Sequence, residues 1–326
     1  MRVGIFCTLD YHPDLGPGPR AFFRRAIAEA EHAEALGLES FWVAEHHFAT
    51  YGLGPDPAVL LAAIAERTRR IRLGTAVATL PFYHPLRAAE SFALLDQLSD
   101  GRLEFGVGSG YLAHEFAGFG IPPEERRGRM DEALIIIRQA WSGEPIAHAG
   151  SFFRLEAPPL NVRPLQPGGP RIHMAVTRAP SAPFVARQGL HLLHVPYITL
   201  ETGADLQALI TAYRRAVPPG KEAGVTVACH AFCGTEPWRG LGDPAYRAPE
   251  AALDLYLRTR VARGANWSGK PIGPDFVLFG DAEQWRGYQR WLAGIGVDRL
   301  LLLTTFGGLG QAEVAASLER LTQVGR

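Results

Sequence analysis

Charge of one sign is what this 326-residue chain lacks most plainly: Lys+Arg and Asp+Glu number 33 each, so the formal net charge is zero. A balanced chain has no basic field for nucleic acid or an anionic membrane, and the expected partner is a small molecule or another copy of itself. Cysteine is scarce as well. Cys7, Cys229 and Cys233 are odd in number and widely spread, which argues against a disulfide scaffold and fits a reducing cytoplasm. No apolar run approaches ~20 residues, so no membrane-spanning helix is expected. Residues 1–9 open as a strand, without the basic segment and apolar stretch of an export signal. Missing too is the Gly-x-Gly-x-x-Gly turn that a dinucleotide-binding sheet carries after its first strand.

What is present is alternation of strand and helix. Residues 2–7 are an apolar run, and 20–36 have helical spacing (Phe23, Ile27, Ala30, Ala33) stopped at Gly37. A strand at 41–45 precedes a helix opened by Asp56-Pro57 and running to 67, then a strand at 71–80. His84-Pro85 starts a helix to 98, and a strand at 103–107 is followed by a long helix over 124–141. Residues 143–170, rich in Pro and Gly, read as an excursion with a short strand near 151–155. Strands at 171–176, 190–195, 224–233 and 299–305 alternate with helices at 182–188, 205–216, 250–262, 281–294 and 311–324, while 234–249 and 264–274 are loop-like. Strands in this order predict one (β/α)₈ barrel, a fold of typically about 250 residues, with the surplus in irregular insertions at 143–170 and 234–274. A doubly wound sheet is the alternative.

Residues 40–47, Ser-Phe-Trp-Val-Ala-Glu-His-His, carry the sharpest chemical signal. A buried strand ending in a carboxylate and two imidazoles, just before a Gly/Pro loop, is how an α/β protein builds a site. Strand alternation places Trp42, Ala44 and His46 on one face and Val43, Glu45 and His47 on the other, so at most one histidine faces a site. Adjacent histidines also lack the alternate-residue spacing of a metal pair on a strand, which disfavours a metal-dependent barrel hydrolase. Cys229-His230-x-x-Cys233 reads as strand core, with the cysteines on one face and His230 on the other. Gly106-Val107-Gly108-Ser109-Gly110-Tyr111 is either a cofactor cradle or a turn needing positive φ. Thr177-Arg178-Ala179-Pro180-Ser181 at a helix start has the hydroxyls and guanidinium of a phosphate site, or else Ser181 is a simple N-cap. Thr75-Ala76-Val77-Ala78-Thr79 alternates like barrel core. Phe6, Phe82, Tyr83 and Tyr111 lie near strand ends and favour an apolar substrate.

Glu45-His46-His47-Phe48-Ala49-Thr50-Tyr51-Gly52 closely resembles the same-position segment of the bacterial luciferase α subunit. So do Gly74-Thr75-Ala76 with Leu80-Pro81, His84-Pro85-Leu86-Arg87-Ala88-Ala89-Glu90 and the run from Leu94 through Asp100-Gly101-Arg102. Order and spacing match to about residue 195 and more loosely to Phe306-Gly307-Gly308, so the chain resembles the luciferase-like flavin monooxygenases as a family. That resemblance implies a (β/α)₈ barrel using reduced FMN from a separate reductase, with O₂ adding at the flavin C4a position. It implies that His46 is the catalytic acid/base, that Ala76-Val77 is a cis peptide against the flavin ring, and that Gly108, Ser109 and Tyr111 border the cofactor. Thr177, Arg178 and Ser181 match positions holding the FMN phosphate. Luciferase has an arginine where this chain has Ser109; Arg178, standing where luciferase has a serine, is a replacement from the opposite side. The resemblance also implies a lid over 234–274 and a homodimer through helices 56–67 and 85–98.

An FMN- and O₂-dependent monooxygenase acting on a small organic substrate is the first expectation. The alternatives are a coenzyme F420-dependent dehydrogenase of the same fold, moving hydride without O₂, and a non-catalytic flavin-binding partner subunit.

Overall fold

Eight short parallel strands close on themselves in the computed structural model, which describes residues 1–50, 52–176, 179–262 and 274–324. They are β1 (Arg2–Cys7), β2 (Ser40–Val43), β3 (Arg72–Thr75), β4 (Leu103–Gly108), β5 (Arg171–Val176), β6 (His191–His194), β7 (Val225–Cys233) and β8 (Arg299–Leu303). Each pairs with the next, β6 meets β7 through Val225 opposite Leu192, and β8 returns to β1 with Arg2 opposite Arg299. Helices connect the strands on the outside, as right-handed crossovers require. Three of them, α1 (Pro19–Ala35), α2 (Pro57–Arg67) and α3 (Pro85–Leu98), begin on proline, whose missing N–H costs nothing at the first helical position. Asp56 caps α2 by accepting from the amides of Ala58 and Val59.

The barrel interior is filled in two different ways. Toward the strand starts, Glu104 of β4 accepts from His173 Nε2 at 2.6 Å and pairs with Arg72, Arg171 and Arg299. Burial opposes ionisation there, but His173, Arg299 and Arg72 outweigh it and hold the Glu104 carboxyl far below its usual range. Trp42 lies over this layer, with the Arg299 guanidinium 5.3 Å from its ring. A Cβ on Gly74 would stand 2.1 Å from the indole, so a glycine is what lets β3 pass the ring. Among the described residues this layer plugs the floor, and open space lies toward the strand ends, where barrels of this kind place their sites.

The structure departs from the sequence reading in five places. The strand expected over 71–80 breaks after Thr75; the Ala76–Val77 peptide is cis, Ala78–Thr79 resumes pairing with β4, and Leu80–Phe82 turns as a 3₁₀ helix. The strand at 41–45 ends at Val43, so alternation no longer governs Glu45, His46 and His47. A seven-residue helix, α4 (Ala113–Phe119), precedes α5 (Arg126–Ser142), where one long helix from 124 was expected. The excursion holds an antiparallel pair, Ile146–Ala149 with Arg154–Ala157, rather than one strand. Finally, Val277–Gly280 adds a strand that pairs with the end of β7 after β6 has left it. Four residues are too few to carry a period, which is why that strand is invisible in sequence. The remaining helices are α6 (Ala182–Arg187), α7 (Gly203–Ala216), α8 (Arg247–Ala262), α9 (Ala282–Gly294) and α10 (Gln311–Val324). No described helix is long and apolar enough to cross a membrane.

Candidate active site

A cavity of about 330 Å³ opens at the strand ends, lined by residues from β1, from the segments after β2, β3, β4 and β6, and from α5 and α8. The loop after β2 supplies Glu45 and His46 as consecutive wall residues, which a continuing strand would forbid. His47 does not line the cavity. It sits among aromatic rings, 4.8 Å from Phe119 and 5.6 Å from Phe82, and its Nε2 lies 3.1 Å from Glu45 Oε1. The two histidines do divide as expected, one to the cavity and one away from it. The expectation that Glu45 turns away with His47 fails, because the chain leaves the pleat at Val43.

His46 is held by a residue the sequence reading missed. Glu115 of α4, with a side chain 3 % exposed, places Oε1 3.0 Å from His46 Nδ1 and accepts the His47 amide at 2.9 Å. A carboxylate accepting at Nδ1 keeps the proton there and makes Nε2 the basic nitrogen of the ring. Leu112, Phe116 and Phe119 have the helical spacing that could have revealed α4. Its shortness and the lack of a side-chain cap at Leu112 hid it.

Glu45 performs a different task. Its Oε2 accepts from the Tyr83 hydroxyl at 2.6 Å and from the Thr79 amide at 3.2 Å, tying the β2 loop to the segment that follows the cis peptide. Burial pushes the Glu45 carboxyl up, against the lowering effect of His47 and Tyr83. Tyr83 and Phe82 therefore serve the wall from behind and are not lining residues, unlike Phe6 and Tyr111.

The cofactor-binding candidates split into those the structure brings together and those outside the described residues. Ala76, Val77, Gly108, Ser109, Tyr111 and Ser181 all line the one cavity. A Cβ on Gly108 would stand 2.5 Å from Val77 Cγ2, so glycine is what lets β4 approach the cis segment this closely. Ser181 makes no side-chain cap bond to α6, which removes the simple capping explanation for it. Thr177 and Arg178 lie outside the described residues. Three cationic side chains missed in sequence also line the cavity: Arg126 and Arg127 at the start of α5, and Arg260 of α8. Arg260 is 2 % exposed and donates to Tyr197 at 2.7 Å and Tyr111 at 3.3 Å. Next to it, burial and then the Arg260 charge push the His230 imidazole down to about 3, so it is neutral strand core. Cys229 and Cys233 are buried and reduced, and among the described residues no cluster of three or more metal-ligating side chains occurs.

The model of the luciferase-like monooxygenase family matches residues 1–324. The chain belongs to that family. It is similar to the oxygenase component of a flavin-dependent trigonelline monooxygenase from Acinetobacter baylyi, 29% identical over 60% of this chain and 54% of that protein. It is also similar to an F420-dependent glucose-6-phosphate dehydrogenase from Amycolatopsis mediterranei, 35% identical over 50% of this chain and 52% of that protein. Among solved structures, the monooxygenase RslO1 from Streptomyces bottropensis superposes with a TM-score of 0.81 at 28% identity, covering 99% of this chain and 98% of that one. The chain spans between about half and three-fifths of the length of the curated relatives it matches first. In a luciferase-like barrel the strand ends are where a site is expected, and that is where the cavity lies.

Proposed function

We propose that this chain, acting as one barrel unit, is the oxygenase of a two-component system: it takes reduced FMN from a separate reductase and uses O₂ to oxidise a small organic substrate. The observation that carries the reading is the meeting, in one cavity, of the His46–Glu115 pair, the Ala76–Val77 wall and a margin bearing Arg126, Arg127 and Ser181. Those parts fit FMN: an apolar cis segment and a glycine for a flat ring, and guanidinium and hydroxyl groups for a phosphate. Bound reduced flavin would supply the electrons that activate O₂.

The protein's own contributions follow from its side chains. Thr177, Arg178 and Ser181, with Arg126 and Arg127, would hold the phosphate, a set that would make up for the serine at position 109, where luciferase has an arginine. Ala76, Val77, Gly108, Ser109 and Tyr111 flank the ring. His46 gives or takes a proton at Nε2, near-neutral chemistry that suits an imidazole, while Glu115 keeps Nδ1 protonated. Phe6, Leu193, Val195 and Ile198 line the same space and exclude water, which favours an apolar substrate. Val59 on α2 and Leu94 and Leu98 on α3 are exposed apolar residues, which supports a homodimer through these two helices.

The second reading, an F420-dependent dehydrogenase, is favoured by the 35% identical relative that uses that cofactor. Fluorescence titration with FMN and with F420, followed by O₂ uptake with FMN, a reductase and a substrate panel, separates the two. We expect tighter binding of FMN, substrate-dependent O₂ uptake, and a loss of FMN affinity of ~10-fold or more in Arg178→Ala. Tighter binding of F420 with anaerobic hydride transfer would establish the dehydrogenase instead. Cofactor binding without turnover of any substrate would point to the non-catalytic partner subunit.

A further inference from the structure

Strand β1 separates two cavities. Phe6 and Thr8 face the barrel cavity, whereas Cys7 and Leu9 face a second space of about 350 Å³ outside the barrel, between β1, α1, α10 and the chain after β8. This second space is large enough for a small ligand and is mostly apolar, with Phe22 and Leu318 among its walls. Its polar groups are not those of a sealed core.

Two carboxyls line it, those of Asp10 and Glu29. The Asp10 side chain is fully buried; Oδ2 accepts from His12 at 2.8 Å and from the Gly307 amide at 2.7 Å, while Oδ1 has no hydrogen-bond partner. Glu29 of α1 forms no ion pair among the described residues, and its Oε1 receives only long bonds, 3.4 Å each, from the Thr304 and Thr305 hydroxyls. Both carboxyls line this space and both are held by the chain just after β8, Asp10 by the Gly307 amide and Glu29 by the Thr304 and Thr305 hydroxyls. On α1, one turn beyond Glu29, His32 also lines the space with an unpartnered Nε2. A carboxylate oxygen can only accept, so whatever completes this floor must donate. Leaving a buried acceptor unmet is costly, and native proteins rarely do so without water or a ligand.

We propose that this side cavity is a binding site for a small primary amine with an apolar tail, its ammonium seated between Glu29 and Asp10 and its tail against Phe22 and Leu318. An ammonium brings three donors, which Asp10 Oδ1 and Glu29 can accept alongside the His12 and Arg25 side chains that already line the space, and the apolar walls match a short alkyl or aryl group. The site is independent of whatever occupies the barrel cavity.

The test is calorimetric titration of the folded chain with 2-phenylethylamine and, separately, with 2-phenylethanol, which has the same tail without the charge. Saturable one-to-one binding of the amine is expected, with the alcohol weaker by ~10-fold or more because a charge-assisted bond is lost. Ala315→Trp, which fills the space from α10, should abolish binding. Glu29→Gln, nearly the same in shape, should weaken it by ~10-fold or more. FMN titration of the same variants reports the barrel cavity separately. No saturable amine binding, an alcohol that binds equally well, or amine binding that survives both substitutions would each overturn the proposal. The first of these outcomes would leave bound water as the partner of Asp10.

Discussion

Replacing Glu115 is the most direct probe of how the cavity handles protons. One oxygen of this buried carboxylate serves two donors, His46 Nδ1 at 3.0 Å and the His47 amide at 2.9 Å. A hydrogen bond to a charged partner contributes about 1.5–3 kcal/mol, against about 0.5–1.5 kcal/mol between neutral groups. In Glu115→Gln an amide oxygen can occupy the same position, so both bonds persist and only the charge is lost, a change of about 1 kcal/mol. In Glu115→Ala both bonds go: the imidazole loses its anchor, and the His47 N–H is left unmet at a cost of about 1–3 kcal/mol. The assay is steady-state turnover together with a fluorescence titration of FMN. For Glu115→Gln we expect turnover within ~10-fold of the parent, because both hydrogen bonds persist. For Glu115→Ala we expect turnover to fall by ~10²-fold, with FMN affinity little changed because the proposed phosphate contacts lie elsewhere. Unchanged turnover in Glu115→Ala would refute the idea that this carboxylate positions His46.

Three further substitutions test other parts of the account. His46→Ala should lower turnover by ~10²-fold or more while His47→Asn is milder; the reverse order in steady-state assays would show that the wrong histidine has been assigned to the cavity. Gly108→Ala should lower both flavin affinity and the melting temperature, since its Cβ would stand 2.5 Å from Val77 Cγ2 and overpacking costs about 1–3 kcal/mol; an unperturbed variant would mean the wall yields freely. Burial raises the Glu29 carboxyl from 4.5 to about 7, ahead of the lowering effects of Thr305, Thr304 and Arg25. The folded chain then holds this proton more tightly than the unfolded one, so its stabilising contribution, roughly 3 kcal/mol, is full below pH 4.5 and lost as pH rises through 7. Glu29→Gln should flatten that part of the stability profile, and an identical pH dependence in thermal melts of both proteins would contradict the assignment.

The barrel was legible because its signals are local and repeated. Pro19, Pro57 and Pro85 each stand at a helix start, and the eight apolar runs each became a barrel strand. What escaped was whatever lacked length. Val277–Gly280 and α4 are shorter than the window over which periodicity is measurable. Residues 71–80 failed for another reason: nothing in Thr75-Ala76-Val77-Ala78-Thr79 breaks the alternation, and only the family resemblance pointed to the cis bond. Polar residues were legible where they clustered in sequence, as in Glu45-His46-His47, and invisible where they met only in space.

That difference explains the composition of the cavity wall. His46 was visible because it follows a strand, but its partner Glu115 is 69 positions away and sits on a helix too short to notice. Arg260 is farther still, 149 positions from Tyr111, in a helix whose arginines at 258 and 260 look alike in sequence. Arg258 pairs with Asp254 one turn earlier and stays in solvent, whereas Arg260 turns inward among phenol rings. Helix geometry explains the divergence: positions two apart lie on opposite sides, so one side faces water and the other the cavity. No rule of composition says which arginine is which. The decision rests on how α8 lies over the strand ends, a tertiary fact, and so the part of the wall that α8 builds, Tyr256 and Arg260, can be read only from the folded chain.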